Sequence, residues 1–217
     1  MEVDAKVEAD RGRAIAMLQR AGILITLQEE AAIVLADMGL GEFERQGVAI
    51  LPYINTDRYC AKELIFLPHQ TCPQHRCPPV NGQPGKQETF RCRYGRVYLY
   101  VEDAPTRCPH CRAPYGSEDA YTVWHEIVLT LGEQYTVAPD TWHWFQAGEE
   151  GAVVSEFASA SHDEDDIFAD ARIVRVPVET TLLHRPQGGM SELRISGGRA
   201  PAGQVAFSFS SGALRRG

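Results

Sequence analysis

The N-terminal part of the chain carries apolar positions at helical spacing. The apolar residues of the first such run are Ile15, Met17, Leu18 and Ala21. Charged residues lie between them and Gly22 ends the run, which predicts an amphipathic helix over 5–21. A second helix is predicted to begin near Gln28, with glutamates in its first turn, and to continue through Leu35 to a break at Gly39.

After residue 47 the apolar pattern changes to short runs typical of β-strands. Val, Ile, Leu and aromatic residues dominate these runs, and Pro, Gly, Asn and Asp separate them. The predicted strands cover 48–54, 60–67, 97–101, 124–131, 134–137, 152–157 and 173–176. Many short strands with no helices between them indicate an all-β barrel or sandwich with helical additions.

The same pattern divides the chain into three parts. Residues 1–45 are predicted to form a helical region that packs on the barrel, and residues 46–180 to form the barrel. Within it, 104–121 is predicted to be a long loop because it is rich in proline. The end of the chain, 181–217, is expected to be a flexible tail, since 186–217 alone contains seven glycines and five serines.

Composition and charge narrow the function classes. The chain has 217 residues, a 44% apolar fraction and a net charge of −8. The acidic balance argues against nucleic acid as a partner, and small molecules remain open. No apolar run approaches the roughly 20 residues of a membrane span, and no signal-peptide core is present, so we expect no membrane partner and a cytoplasmic location. The six cysteines are then expected to be reduced thiols or metal ligands.

Four residues on strand-like runs form a candidate metal site. Alternate residues of a strand face the same side, so His75 and Cys77 can point into a barrel together. Glu88 and His143 come from later strands. The two imidazoles and the carboxylate form a mixed nitrogen and oxygen set that suits one divalent ion such as manganese, iron or zinc.

The spacing of these residues resembles the two sequence boxes of the cupin superfamily. Glu88 is followed by Gly95, and Gly132 precedes His143 by eleven residues, as in those boxes. The resemblance implies a cupin-type double-stranded β-helix, or jelly-roll, barrel. Two positions depart from the family pattern: Cys77 stands where a second histidine is expected, and His69 stands where a glycine is expected.

Longer runs resemble D-lyxose ketol-isomerases. They are 55–64, 85–91, 121–126, 143–148, 154–157 and 166–173, in order along the chain. The resemblance implies a cupin homodimer that uses one divalent metal, usually manganese. Such an enzyme interconverts D-lyxose and D-xylulose, and often D-mannose and D-fructose, through an enediolate. A metal that holds the sugar carbonyl and hydroxyl makes the C2 proton more acidic, and a carboxylate moves that proton.

Carried over by position, the resemblance implies metal ligation by His75, Glu88 and His143. Glu156 is the first choice for the proton-transferring base. Lys86, two residues before Glu88 on the same face, is expected to contact a sugar oxygen. The alternative for Lys86 and Glu156 is a structural ion pair.

Three further residues are candidates for binding the sugar. They are Trp144 beside His143, Asp165 within an acidic run, and Arg172. Each also has a structural interpretation, which is core packing for the tryptophan and a solvated surface for the two charged residues.

The departures leave alternatives open. A thiolate at Cys77 would move the metal preference toward zinc. If Cys77 does not ligate, His69 would share a face with His75 on an unbroken strand. If the metal site is degraded, the chain would be a non-catalytic or divergent cupin that binds a small sugar or acid.

The Cys-Pro-His-Cys sequence suggests a possible second metal site. Cys108 and Cys111 have the spacing of a zinc knuckle, but a closed structural site needs four ligands. Cys72 and Cys77 are the candidates that would complete it, which would remove Cys77 from the first site.

Overall fold

A computed structural model describes the backbone of residues 2–174 and the side chains of residues 5–174. These residues belong to one compact unit. The tail predicted at 181–217 lies outside the described residues, and the division of the remainder at residue 45 stays a prediction.

Two helices precede the sheet. Helix α1 spans Glu2–Arg20 and helix α2 spans Leu27–Ala32. Thr26 and Glu29 form a capping box in which the Thr26 N–H donates to Glu29 Oε2 at 2.7 Å and the Glu29 N–H donates to Thr26 Oγ1 at 3.2 Å. Helix α1 covers most of the predicted helix at 5–21 and ends one residue earlier. Its apolar face is buried against the sheet, as the helical spacing of the apolar residues predicts.

The predicted extent of the second helix was wrong. Helix α2 ends at Ala32, and Val34–Ala36 forms strand β1. This strand pairs antiparallel with 48–50 of the following strand. The apolar, partly β-branched run after Ala32 fits a pleated surface, and pairing with a neighbouring strand satisfies its backbone groups.

The strands of the described residues form one curled antiparallel sheet. The remaining strands are β2 (Val48–Asn55), β3 (Tyr59–Phe66), β4 (Thr71–Arg76), β5 (Glu88–Val101), β6 (His125–Thr130), β7 (Gln134–Val137), β8 (His143–Ser159) and β9 (Ile167–Phe168). The main order is β1-β2-β3-β8-β4-β9, and β5 pairs with β6, β7 and β8. The prediction of an all-β fold with N-terminal helices is confirmed.

Two long strands, β5 and β8, hold the sheet together. They pair with each other over most of their length, with register shifts between Cys92 and Tyr94 and between Gly95 and Val97. At the second shift Gly95 has φ +66°, and an added Cβ would lie 2.1 Å from Gly151 O. Glycine is needed here because a side chain would collide with the opposite strand at the bend.

Apolar side chains on the two faces of the sheet form separate clusters. The inner face packs residues such as Phe66, Phe90 and Phe145. The outer face packs Leu51 and Ile65 against α1. Both clusters form because successive side chains of a strand point to opposite faces of the sheet. A polar residue at an inner-face position therefore lies inside the curled sheet.

The first half of the predicted strand at 173–176 is not a strand, and its second half lies outside the described residues. Ile173 and Val174 lie outside any strand, and 175–176 lie outside the described residues. The Val174 N–H donates to Met38 O at 3.1 Å, so this segment crosses back to the loop after β1. Neither helix within the described residues is long and apolar enough to span a membrane.

Candidate active site

The four predicted ligands meet inside the curled sheet. His75 lies in β4, Cys77 follows that strand, Glu88 begins β5 and His143 begins β8. All four are buried. His75 and His143 are register partners with ring centroids 4.3 Å apart. Glu88 Oε2 lies 3.5 Å from His143 Nε2 and 3.5 Å from Cys77 Sγ.

Backbone carbonyls fix the orientation of both histidine rings. His75 Nδ1 lies 2.8 Å from Pro73 O, and His143 Nδ1 lies 2.9 Å from Thr141 O. A carbonyl only accepts, so each Nδ1 carries a proton directed to its carbonyl. This is the arrangement by which protein histidines are held for metal binding.

The electrostatics of His143 also fit a metal ligand. Burial and the neighbouring His75 together lower the pKa of His143 to about 4, although Glu88 opposes the shift. The imidazole is therefore neutral at pH 7. Its Nε2 is buried without a hydrogen-bond partner among the described residues. A buried, unprotonated nitrogen of this kind is satisfied by a cation, so the donor set fits a divalent metal.

Lys86 neutralises Glu88. Lys86 Nζ lies 2.9 Å from Glu88 Oε1, and both side chains are buried. Burial would raise the pKa of Glu88, but Lys86 and His143 outweigh it and lower this pKa to about 2. Glu88 is thus a carboxylate across the physiological range, and Lys86 lies on the same side of the chain, as the spacing predicts.

Glu156 lies between two lysines, one of which sequence reasoning missed. Glu156 Oε1 is 3.3 Å from Lys62 Nζ and 3.8 Å from Lys86 Nζ. Burial raises the pKa of Glu156 to about 7 although both lysines oppose the shift. Lys62 could have been noticed because it is a charged residue within an apolar strand. It also lies in the run 55–64, which resembles the isomerases.

Two carboxyl groups after β8 also reach the cluster and were missed as members of it. Asp163 accepts from Lys86 Nζ at 2.9 Å and from Lys62 Nζ at 2.9 Å. Asp166 has a carboxylate oxygen within 4.8 Å of donor atoms of both His75 and Cys77. Asp163 is the first residue of the short 3₁₀-helix Asp163–Asp165, and Asp166 follows its last residue. Their three-residue spacing in the acidic run places them on one side of such a turn.

The structure places the three sugar-binding candidates differently. Trp144 is fully buried in a separate aromatic cluster, stacked on Tyr100 at 4.0 Å, and is not brought to the metal-ligand cluster. Arg172 is exposed and donates to Asp170 and Ser117. Asp165 lines the cavity beside the cluster. Their roles in binding a sugar stay predictions.

The alternative ligand His69 lies elsewhere. It occupies an exposed turn between β3 and β4 with φ +59°, and its N–H donates to Gly148 O at 3.2 Å. The unbroken strand that would align it with His75 does not form, because β4 begins at Thr71. The interpretation of His69 as the replacement ligand is therefore wrong.

Among the described residues, the Cys-Pro-His-Cys loop does not bring together the four side chains of a zinc site. Cys108 is exposed and Cys111 is buried. Within the described part of the chain, neither belongs to a group of three or more metal-ligating side chains. His110 Nδ1 instead lies 2.6 Å from Glu126 Oε1. The second metal site stays a prediction without a third ligand.

Two cavities meet at the site. An inner one of about 30 Å³ lies among Lys62, His75, Glu88 and Glu156, which is room for one water or ion. An outer one of about 760 Å³ opens beside Cys77, and its size is typical of small-molecule sites. Both cavities are lined by Lys86 and Asp166.

Structural comparisons identify the fold class. The L-ribose isomerase of Acinetobacter sp. DL28, solved with L-ribose, matches with a TM-score of 0.65 and 14% identity, covering 76% of this chain and 92% of that chain. The L-ribose isomerase of Cellulomonas parahominis matches with a TM-score of 0.60 and 15% identity, covering 75% and 90%. The fold is therefore that of the cupin-type sugar isomerases.

Sequence comparisons identify the family. No family model matches the chain. The D-lyxose/D-mannose isomerase of Thermosediminibacter oceani is 62% identical over 173 residues, covering 80% of this chain and 96% of the relative. The D-lyxose ketol-isomerase of Cohnella laeviribosi is 58% identical over 168 residues, covering 77% and 92%. The chain belongs to the D-lyxose ketol-isomerase family, an aldose–ketose isomerase family of intramolecular oxidoreductases.

Proposed function

We propose that this chain is a divalent-metal-dependent isomerase that interconverts D-lyxose and D-xylulose, and also D-mannose and D-fructose. The names of its relatives support the sugars. The observation that carries the mechanism is the buried Glu156 carboxyl between Lys62 and Lys86, beside the metal-ligand cluster. Glu156 lines the small inner cavity, and the outer, sugar-sized cavity is lined by Cys77 and Lys86.

Four residues would hold the metal: His75, Cys77, Glu88 and His143. When bound, a divalent ion polarises the carbonyl and adjacent hydroxyl of an aldose and makes its C2 proton more acidic. The family resemblance supports manganese, whereas thiolate ligation by Cys77 favours zinc.

Glu156 is proposed as the base. Its carboxylate accepts the proton from C2 of the aldose, and the resulting acid returns this proton to C1 of the enediolate to give the ketose. A second proton moves from the C2 hydroxyl to the carbonyl oxygen, so the overall reaction neither gains nor loses atoms. A pKa of about 7 suits this exchange because it lies near the working pH.

The lysines are proposed to stabilise the charge that develops on the sugar oxygens. The ammonium groups of Lys86 and Lys62 lie on the Glu156 side of the cluster, fixed by Asp163 at 2.9 Å from each. Fixed positive groups in a water-poor site stabilise a developing oxyanion without reorganisation. Asp165, which lines the outer cavity, is proposed to contact the sugar. Sugar binding by Arg172 is supported by the family resemblance alone, and Trp144 would act only through packing.

The test is turnover by the purified chain after removal of metals. Addition of manganese, cobalt or zinc should yield D-xylulose from D-lyxose and D-fructose from D-mannose, measured by chromatography. Glu156→Gln is the matched inactive control. Absence of ketose with all three ions would refute the isomerase function, and sugar binding without turnover would favour the non-catalytic cupin.

The resemblance also supports a homodimer in the cytoplasm. Sedimentation equilibrium should give twice the chain mass of 24.1 kDa. A mass of one chain at micromolar concentration would exclude the homodimer while leaving the isomerase function intact.

A further inference from the structure

Three potential donors come together at the end of β4. A ring nitrogen of His75, Cys77 Sγ and a carboxylate oxygen of Asp166 all lie within 4.8 Å of one another. His75 and Cys77 are two residues apart, whereas Asp166 arrives from the segment after β8. The Asp166 oxygen and Cys77 Sγ are therefore close enough to ligate one ion, although the two residues are far apart in the sequence.

Cys77 connects this group to the other two ligands. Its Sγ lies 3.5 Å from Glu88 Oε2, which lies 3.5 Å from His143 Nε2. Two atoms bound to one ion at about 2.1–2.3 Å in tetrahedral geometry are about 3.4–3.8 Å apart. The observed spacing therefore fits ligands of a common ion, and Asp166 adjoins the same cluster.

The site has more carboxyl groups than ammonium groups, which favours binding of a cation. Four carboxyl groups, those of Glu88, Glu156, Asp163 and Asp166, face the two ammonium groups of Lys62 and Lys86. Full ionisation would leave two negative charges in a largely buried site, which is costly without compensation. A divalent cation supplies the missing charge.

Of the four carboxyl groups, Asp166 has the weakest interaction with the two lysines. Lys86 lies 2.9 Å from both Glu88 and Asp163, and Lys62 pairs with Glu156 and Asp163. Among the residues that the structure describes, Asp166 forms no such ion pair within 4.0 Å. A cation next to this carboxylate would supply the counter-charge that the two lysines do not.

We infer that Asp166 is a ligand of the bound cation together with Cys77, and that the thiolate of Cys77 gives the site a preference for zinc over manganese. This inference rests on the proposed metal-dependent function. A thiolate is a soft ligand that favours zinc and cobalt, whereas oxygen ligands with nitrogen suit manganese. Asp166 also lines the outer cavity, so its ligation would bring the ion to the wall that a sugar contacts.

The direct test is a crystal structure of the zinc-loaded protein with anomalous data at the zinc edge. We expect an Asp166 oxygen about 2.0–2.2 Å from the ion and Cys77 Sγ about 2.3 Å from it. An Asp166 carboxylate more than about 3 Å from a zinc ion held by the other residues would overturn the inference.

Cobalt binding gives a readout in solution that does not depend on turnover. The wild type should show a sulfur-to-cobalt charge-transfer band, which Cys77→Ser should abolish. Asp166→Asn should raise the cobalt dissociation constant by more than about 100-fold, beyond the 10–100-fold typical of a residue that only orients a ligand. Glu150→Gln, an exposed carboxyl on β8, is the control and should leave affinity unchanged.

A competition assay tests the preference. With equal zinc and manganese, the wild type should retain zinc, and Cys77→His should move the zinc-to-manganese ratio toward manganese by about tenfold or more. If Asp166→Asn unfolds in circular dichroism, Asp166→Glu keeps a carboxylate and should retain the cobalt affinity within about tenfold. Manganese retained by the wild type would overturn the preference.

These measurements separate the inference from the proposed function. Zinc bound through Asp166 and Cys77 without ketose formation would refute the isomerase alone. Turnover with an ion that Asp166 does not contact would refute the inference alone.

Discussion

Lys62 and Glu156 face each other across the antiparallel pair of β3 and β8, and Lys62 Nζ lies 3.3 Å from Glu156 Oε1. Both side chains are buried next to the metal-ligand cluster. The strand register thus places a fixed positive charge beside the proposed base. The ionisation of that base is therefore set by residues from different strands.

Replacing the base should remove turnover and leave metal binding intact. We expect Glu156→Gln to lower kcat by about 10²–10⁴, since general base catalysis contributes that much. Bound metal, measured by mass spectrometry, should stay at the wild-type level. Glu149→Gln, on the exposed part of β8, is the control and should keep full activity. A Glu156→Gln enzyme with more than about a tenth of the wild-type kcat would exclude Glu156 as the base.

The same residue should make the stability of the metal-free protein depend on pH. The pKa of Glu156 is raised from 4.5 to about 7 on folding. Between these values the folded chain keeps a proton that the unfolded chain has released, so the free energy of unfolding falls as pH rises. We expect the free energy of unfolding of the wild type, relative to that of Glu156→Gln, to fall by about 1–3 kcal/mol across this pH window. Urea titrations in the presence of chelator measure this difference. A difference that stays constant with pH would contradict this.

Removal of Lys62 should act through Glu156. Lys62→Met deletes an opposing charge and leaves the carboxyl buried, so the pKa of Glu156 should rise. We expect the acid limb of the kcat/KM profile to move to higher pH by about one unit or more. Lys6→Met, on the exposed part of α1, should leave the profile unchanged. An unshifted acid limb with reduced kcat would exclude an effect of Lys62 on the pKa of Glu156 and leave only its proposed role at the sugar oxygens.

The two histidines at positions 143 and 69 should respond differently to alanine. His143→Ala removes a buried donor at the cluster and should abolish metal binding, while His69→Ala removes an exposed turn residue and should not. Metal at 100 times its dissociation constant stabilises a folded protein by about 2.7 kcal/mol. Chelator should therefore lower the melting temperature of wild type and His69→Ala, but not of His143→Ala. Equal sensitivity of both variants would exclude His143 as a ligand.

The paired substitution Cys108→Ser and Cys111→Ser tests the second metal site. Because no third ligand lies with them among the described residues, we expect the zinc content per chain to stay unchanged. Loss of one zinc per chain on this substitution would establish the structural site and would require ligands beyond those described.

The sequence predicted the family, the all-β class and most strand positions because these depend on local patterns. Strand β7, Gln134–Val137, matches the predicted 134–137, since alternating residues and flanking turns define a short strand. The second helix was overextended because a run such as 31–35 fits either element until a partner strand is available. The sequence predicted His75, Glu88 and His143 as ligands because their spacing resembles that of the cupin boxes, and the structure brings these three side chains together.

The tertiary structure alone decided which polar residues share the cluster. Lys62, Asp163 and Asp166 reach Glu156 and Cys77 from segments separated by many residues, through register and a tight turn that no local pattern specifies. The same register excluded His69 and directed Trp144 to a separate aromatic cluster. Sequence thus determined the donor types at the centre of the site. The charges around them depend on distances across the sheet, which only folding fixes.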